Sequence, residues 1–373
     1  MTGSSRTVAD IGVSRAGLAA PSASAKLRLA LACLLLALGL SSPAAGQTGG
    51  PSGAVIVMYH RFGEDSQPST NIRLDQFERH LEILSNGDYN VVPLGTVVEA
   101  LRTGTALPDR TVAITVDDAY RSVYREAWPR LRDAGLPFTL FVNTDGIGGG
   151  TNAMTWDEIR ELAEAGVEIG AHSAAHGHMA FMDRGTVEAD FARMTARFNA
   201  ELGFVPTIYA YPYGEYSREL ADMVEAAGYR AAFGQHSGVA YQGADLFTLP
   251  RFALNERYGE PDRFDLIVNA LPLPANDVVP DGMLIAENLG DSNPPLVGFT
   301  VNGAVGSLDR LSCFASTGDE LELERLGSGR VEVRLAAPLG PGRSRLNCTL
   351  PVPGPVERWR WLSIPFLLPG GDD

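Results

Sequence analysis

The run Thr111-Val-Ala-Ile-Thr-Val-Asp-Asp-Ala-Tyr120 joins a segment fit for a buried strand, Val112 to Val116, directly to two carboxylates, Asp117 and Asp118. Strands of a parallel sheet are covered on both faces and read as continuous apolar runs, so polar residues appear where the strand emerges. In α/β barrels that carboxyl end is where sites are built. Neighbouring strand residues point in opposite directions, so adjacent Asp side chains at a strand end are free to do two different jobs. Taken alone the pair favours a plainer reading, a solvated loop in which Asp118 caps a helix from Tyr120 to Asp133.

A second stretch shifts the balance. Val167-Glu-Ile-Gly-Ala-His-Ser-Ala-Ala-His176 again runs from an apolar segment into polar side chains, here His172 and His176. A spacing of four sets two imidazoles on one face of a helical turn, near enough to share an ion. Two His with one carboxylate from another strand leave coordination positions open for water and substrate, the pattern of a catalytic metal centre. Isolated His residues more often serve packing or surface, but three of this chain's six fall between His172 and His178. A third stretch, Ile208-Tyr-Ala-Tyr-Pro-Tyr-Gly-Glu215, ends in a tight turn. That turn either presents backbone N–H groups to a site or is an ordinary strand-to-helix connection.

Together the three strand ends resemble the polysaccharide deacetylases of carbohydrate esterase family four. The family's Thr-Phe-Asp-Asp-Gly appears as Thr115-Val116-Asp117-Asp118-Ala119, its His-Ser/Thr-x-x-His as His172 to His176, and the end of its third motif as Pro212-Tyr213-Gly214. Each motif alone is weak and the set is specific; the likeness spans roughly Ala54 to Leu271. The resemblance implies that Asp118, His172 and His176 hold one divalent ion, zinc first, with cobalt or nickel as alternatives. It further implies Asp117 as general base and the Tyr213 N–H as oxyanion donor. Bound metal lowers a water's pKa to roughly 7 in favourable sites, which a nearby carboxylate can exploit.

The departures from the family pattern carry expectations of their own. Ala119 stands where the family has Gly, so its backbone is expected to avoid positive φ. The third motif usually opens with Arg, and Tyr209 occupies that region here; Arg251, in Leu249-Pro-Arg-Phe252, is the guanidinium available to orient Asp117 instead. No Leu-x-His motif supplies a general acid. His236, after the next strand, is the first substitute and His60 the second, with a structural role at least as fitting for each. His178 and His80 are assigned to loop and surface.

The rest of the chain sets the context. Lys26 and Arg28 precede the apolar run Leu29–Leu40 and the small residues Ser41–Gly46, a secretory signal with cleavage near Ala44-Ala45-Gly46. The run is short for a membrane span. Removing residues 1–46 takes four of 30 bases and one of 45 acids, leaving 26 − 44 = −18. Such acidity excludes nucleic acid and anionic lipid as partners and suits a neutral or cationic glycan. No Lys follows Lys26, which excludes Schiff-base, pyridoxal and P-loop chemistry, and the remaining Cys313 and Cys348 are expected to form one disulfide.

Alternating strands and helices from Ala54 to about residue 275 imply parallel pairing with right-handed crossovers, a distorted and incomplete (β/α)7-type barrel. After a signal peptide (1–46) and a lead-in (47–53), the barrel domain (54–275) is followed by a linker (276–295) and a small β-sandwich (296–373). The sandwich is read from period-two runs such as Glu320–Leu326 and Arg330–Ala336, with the disulfide crossing between its sheets. The expectation is an exported, periplasmic or extracellular, metal-dependent hydrolase that removes acetyl groups from N-acetylated sugars of a polysaccharide. The Tyr-Pro-Tyr-Gly turn and Arg251 bring it nearest to exopolysaccharide poly-N-acetylglucosamine deacetylases. An O-acetyl carbohydrate esterase and a non-catalytic glycan-binding protein are the rival readings.

Overall fold

All seven residues of the strand Thr111–Asp117 are buried, as a central position in a parallel sheet requires. It is the second in a series that pairs in parallel, each with the next: Gly53–Tyr59, Thr111–Asp117, Thr139–Val142, Glu168–Ala171, Ile208–Ala210 and Ala231–Phe233. The segment from Leu249 to Ala253 brings the two ends of this curled sheet together. Leu249 bridges in parallel to Phe233, while Phe252 and Ala253 pair with Val57 and Met58. The result is the distorted barrel expected, with the seam at 249–253. The computed structural model describes residues 52–285, 293–302, 305–327 and 329–370; the expected signal segment lies outside the described residues.

Helices Leu74–Asn86, Leu94–Thr103, Trp156–Glu164, Arg184–Leu202 and Arg218–Ala226 fall between these strands. Thr155 and Glu158 form a capping box at the start of Trp156–Glu164, each side chain bonding the other's backbone N–H at 3.2 and 2.8 Å. The helix expected from Tyr120 instead begins as a π-helical turn, Val123–Ala127, and turns α-helical only at Trp128–Asp133. Pro129 has no N–H to offer the carbonyl of Arg125, so the α-ladder is interrupted at that place.

Two four-stranded sheets follow. One runs Leu271–Pro272, Arg358–Leu368, Gly342–Val352, Ser312–Ala315; the other Ala275–Val279, Val297–Val301, Arg330–Leu335, Leu321–Leu326. Phe299 and Val333 from one sheet share a core with Leu346 and Phe366 from the other, so the sandwich is present. Three expectations need correction. Cys313 and Cys348 do form a disulfide, but they face each other in neighbouring strands of one sheet and do not cross between sheets. Ala275–Val279, four of whose five residues fall in the expected linker, form a strand paired to Val297–Val301. Leu271–Pro272, assigned to the barrel side, pairs with Arg360 and Trp361 of the sandwich. Met283 and Leu367 pack into the barrel's own core, and the Arg358 guanidinium forks onto Asp109 at 2.7 and 2.9 Å. The two halves therefore share apolar surface and a buried junction. Among the described residues no helix is long and apolar enough to cross a membrane.

Candidate metal centre

The strand Thr111–Asp117 ends as its ladder does: the Asp118 N–H reaches the Phe141 carbonyl at 3.1 Å, and the chain then turns through two positive-φ residues, Asp118 (φ 76°) and Ala119 (φ 53°). The expectation that Ala119 avoids positive φ is thus wrong. Its carbonyl accepts from Met154 N–H at 3.0 Å and its side chain is fully buried, so tertiary contacts impose the left-handed conformation. That conformation costs about 1–2 kcal/mol for a residue with a Cβ.

The turn aims Asp118 at the two imidazoles. Asp118 Oδ1 lies 3.3 Å from His172 Nε2 and 3.1 Å from His176 Nε2, and the three candidate ligand atoms fall within 4.8 Å of one another. His172 Nδ1 faces the Ala210 carbonyl at 2.7 Å, which fixes the proton on Nδ1 and turns the Nε2 lone pair toward Asp118. Asp118 Oδ1 and His172 Nε2 are both buried without a hydrogen-bond partner. An acceptor carboxylate facing an acceptor nitrogen is unfavourable unless a cation sits between them, so this donor set fits a divalent ion. The loop carrying His176 is held by Asp190, whose two carboxylate oxygens accept from Ala174 and Ala175 N–H at 2.8 and 3.0 Å. Asp190 is on the following helix, and no spacing rule singled it out.

Asp117 points the other way, into the barrel. Both of its oxygens accept from Arg251, at 2.7 and 2.8 Å, and both side chains are fully buried. Arg251 also donates to the Gly234 carbonyl and to Thr115 Oγ1, which satisfies most of its fork. Burial pushes the Asp117 carboxyl up, but Arg251 with His172 and His60 outweighs it, and the group is held below its ordinary value. His60 joins this cluster: burial lowers its imidazole, opposed by the charges of Asp118 and Asp117.

The third motif forms the opposite wall. Tyr213 (φ 58°) sets its ring edge-on to His176 at 4.6 Å and stacked on His178 at 4.2 Å. Gly214 (φ 71°) follows, and a Cβ there would stand 2.5 Å from Gln235, so the turn admits no other residue unstrained. Pro212 opens the turn and is buried. His178, expected in a loop at the surface, is in a loop but pairs through Nδ1 with Glu215 at 2.7 Å. Arg343, from the sandwich, donates to the Tyr213 carbonyl at 2.9 Å. Glu215 and Arg343 were not read from the sequence.

The remaining histidines separate. His236 is buried near Tyr216 under the influence of Arg345 and Arg251, and burial pushes its pKa down to about 4. His80, expected at the surface, is fully buried: Tyr59 Oη lies 2.9 Å from Nδ1, the Gly259 carbonyl 2.7 Å from Nε2, and Phe264 stacks on the ring. It stands on the same helical face as Phe77, Leu81 and Leu84.

Residues 104–232 match the family described as polysaccharide deacetylase. YxkH of Bacillus subtilis (strain 168), a polysaccharide deacetylase by name, is 25% identical over 201 residues, covering 54% of this chain and 71% of its own. The poly-beta-1,6-N-acetyl-D-glucosamine N-deacetylase of Escherichia coli (strain K12) is 23% identical over 244 residues, covering 54% of this chain but only 36% of that protein. The solved structure of IcaB from Ammonifex degensii superposes with a TM-score of 0.53 at 26% identity, over 59% of this chain and 98% of that one. Motif order, curled parallel sheet and family match agree: residues 104–232, which carry Asp117, Asp118, His172, His176 and Tyr213, are similar to the polysaccharide deacetylase family, and the fold is like that of IcaB.

Proposed function

We propose that this protein is an exported, metal-dependent deacetylase acting on N-acetylated sugars of a polysaccharide. The observation that carries the reading is the convergence of Asp118, His172 and His176, with two orphaned buried atoms, beside a carboxylate that Arg251 keeps ionised. Asp118 and the two imidazoles would hold one divalent ion, zinc before cobalt or nickel. That ion, when bound, supplies a water of lowered pKa and polarises the acetyl carbonyl. Asp117 takes the proton from the attacking water; each of its oxygens keeps a lone pair beyond the one that Arg251 engages. The Tyr213 N–H in the Pro212–Gly214 turn receives the developing oxyanion. His60 is our candidate for delivering the leaving-group proton, since the charges of Asp118 and Asp117 oppose the lowering of its pKa by burial, whereas burial, Arg345 and Arg251 all lower that of His236; Arg251 acts against the charged form of both. The relatives named for N-acetylglucosamine polymers, together with a disulfide that suits an oxidising compartment, support an N-acetylated exopolysaccharide as substrate.

The test is acetate release from N- and O-acetylated glycans with and without chelator, alongside elemental analysis. Asp117→Asn should keep the ion and lose activity about 10²–10⁴-fold; Asp118→Asn should lose the ion itself. Equal metal loss in both variants defeats the assignment of roles. Cleavage of esters alone turns the reading into an O-acetyl esterase, and binding without turnover turns it into a glycan-binding protein. Amide cleavage should fall more in His60→Ala than in His236→Ala, and the reverse order moves the acid to His236.

A further inference from the structure

Between the barrel rim and the sandwich lies a cleft of about 640 Å³, lined on one side by Tyr213, Tyr258 and Arg263 and on the other by Arg343, Arg345 and Trp361. Its charge is the opposite of the protein's. The chain carries a formal −15, yet no Asp or Glu lines this cleft and three arginines do. Arg343 is engaged by Glu215 at 3.6 Å and by the Tyr213 carbonyl at 2.9 Å, so it shapes the wall. Arg263 and Arg345 are different. Arg263 donates to the Tyr258 carbonyl at 2.7 Å and packs against that residue's ring, and among the described residues neither guanidinium has a carboxylate partner.

Elsewhere the chain pairs its arginines freely, as Arg160 with Asp157 and Glu201 or Arg218 with Asp245 and Asp281. Burial, with a smaller push from the charge of Arg345, lowers Arg263 to about 10. Two more polar atoms of the lining, Ser344 Oγ and His236 Nδ1, are buried without a hydrogen-bond partner. Such a group of unanswered donors and like charges is stable only at a cost that an incoming anion would offset.

The cleft lies next to the candidate metal centre, because Tyr213 lines it and meets His176 ring to ring at 4.6 Å. Tyr258 and Trp361 add aromatic surface of the kind that packs on sugar faces. We infer that this cleft is a subsite for an anionic substituent of the polysaccharide, a carboxylate or phosphate on a sugar neighbouring the one deacetylated, held by Arg263 and Arg345. The inference rests on the deacetylase reading for its placement and narrows the substrate from a neutral glycan to an acidic one.

The test measures binding to the full chain, apart from turnover. Its probes are the hyaluronan hexasaccharide, which alternates N-acetylglucosamine with glucuronate, and the same oligosaccharide with its carboxylates reduced to alcohols. The charged form should bind at least about tenfold more tightly, as charge-assisted hydrogen bonds require. The Arg263→Gln/Arg345→Gln double variant should lose that preference, with Arg345→Gln alone losing part of it, and both should unfold at temperatures near the wild type's. Glucuronate and glucose 6-phosphate as competitors identify the anion: the stronger competitor names it. A wild type that holds none of these anions more tightly than the double variant overturns the subsite. Absence of acetate release from every acetylated glycan would instead defeat the deacetylase reading, and the binding comparison would still stand on its own.

Discussion

The barrel rim and the sandwich handle their backbones in opposite ways. Of seven non-glycine residues with positive φ among the described residues, five (Asp118, Ala119, Ser173, His176 and Tyr213) surround the candidate metal centre, whereas the sandwich side holds one, Asp277. In the sandwich, strands such as Arg330–Leu335 alternate buried and less buried residues, and local pattern and final structure agree. At the rim they disagree. Left-handed Ala and His persist only where surrounding contacts over-determine them, and such strain clusters at sites whose geometry matters more than local comfort. The comparison teaches that the rim borrows its stability from the sheet beneath and from the sandwich beside it.

The strongest way to break that view is to remove the lender. A chain ending at Val279 would lose Met283, Leu367 and the Arg358–Asp109 pair, all of which close the barrel's flank. It should be insoluble or lack a cooperative unfolding transition; a soluble fragment that still binds metal would show the barrel to be self-sufficient. Next in size is Arg251→Met, which leaves Asp117 buried and uncompensated. Breaking a buried pair from one side costs about 3–5 kcal/mol, read in denaturant titration. A loss below about 1 kcal/mol would mean that Asp117 is protonated or solvated without its partner.

A pH series sharpens the contrast, since all six His precede residue 237 and the sandwich has none. The His80 pKa is lowered to about 4 in the folded protein, chiefly by burial, against an unfolded value of about 6.5. Its contribution is full above pH ~6.5 and is lost as pH falls toward 4, because the unfolded chain binds the proton first. The shift corresponds to about 3 kcal/mol. His80→Gln should flatten the stability profile between those limits; an unchanged slope would place the acid sensitivity in other groups, His236 first. Smallest is Arg358→Gln, which removes a half-exposed pair with Asp109 and should cost about 1 kcal/mol. A larger loss would mean that the junction is a keystone and not one contact among several.

Much of this was legible in the sequence, for definite reasons. Strands that run from apolar residues into polar ones announce both their burial and their exposed end, which is why Asp117, Asp118, His172 and His176 could be named together. Two- and three-residue strands such as Phe252–Ala253 and Val239–Tyr241 have no period to detect, yet the first helps to close the ring and the second pairs antiparallel with Gly53–Tyr59. The Ala119 conformation was misread because residue preference is local and the Met154 contact that overrides it lies 35 positions away. Asp190 and Arg343 were invisible for the same reason. His80 was not: the apolar face of Phe77, Leu81 and Leu84 already pointed inward, and the imidazole lies within it.

The seam from Leu249 to Ala253 has one more consequence. Leu249 joins the last strand of the series and Phe252 the first, and Arg251 lies between these two ties with its fork on Asp117. The clasp that shuts the ring is thus also the arm that carries the counter-charge of Asp117, the proposed base. Any loosening of the clasp withdraws that charge, so a barrel that has not closed is also one whose Asp117 lacks its counter-charge. Structural completion and chemical readiness are, in this chain, a single latch.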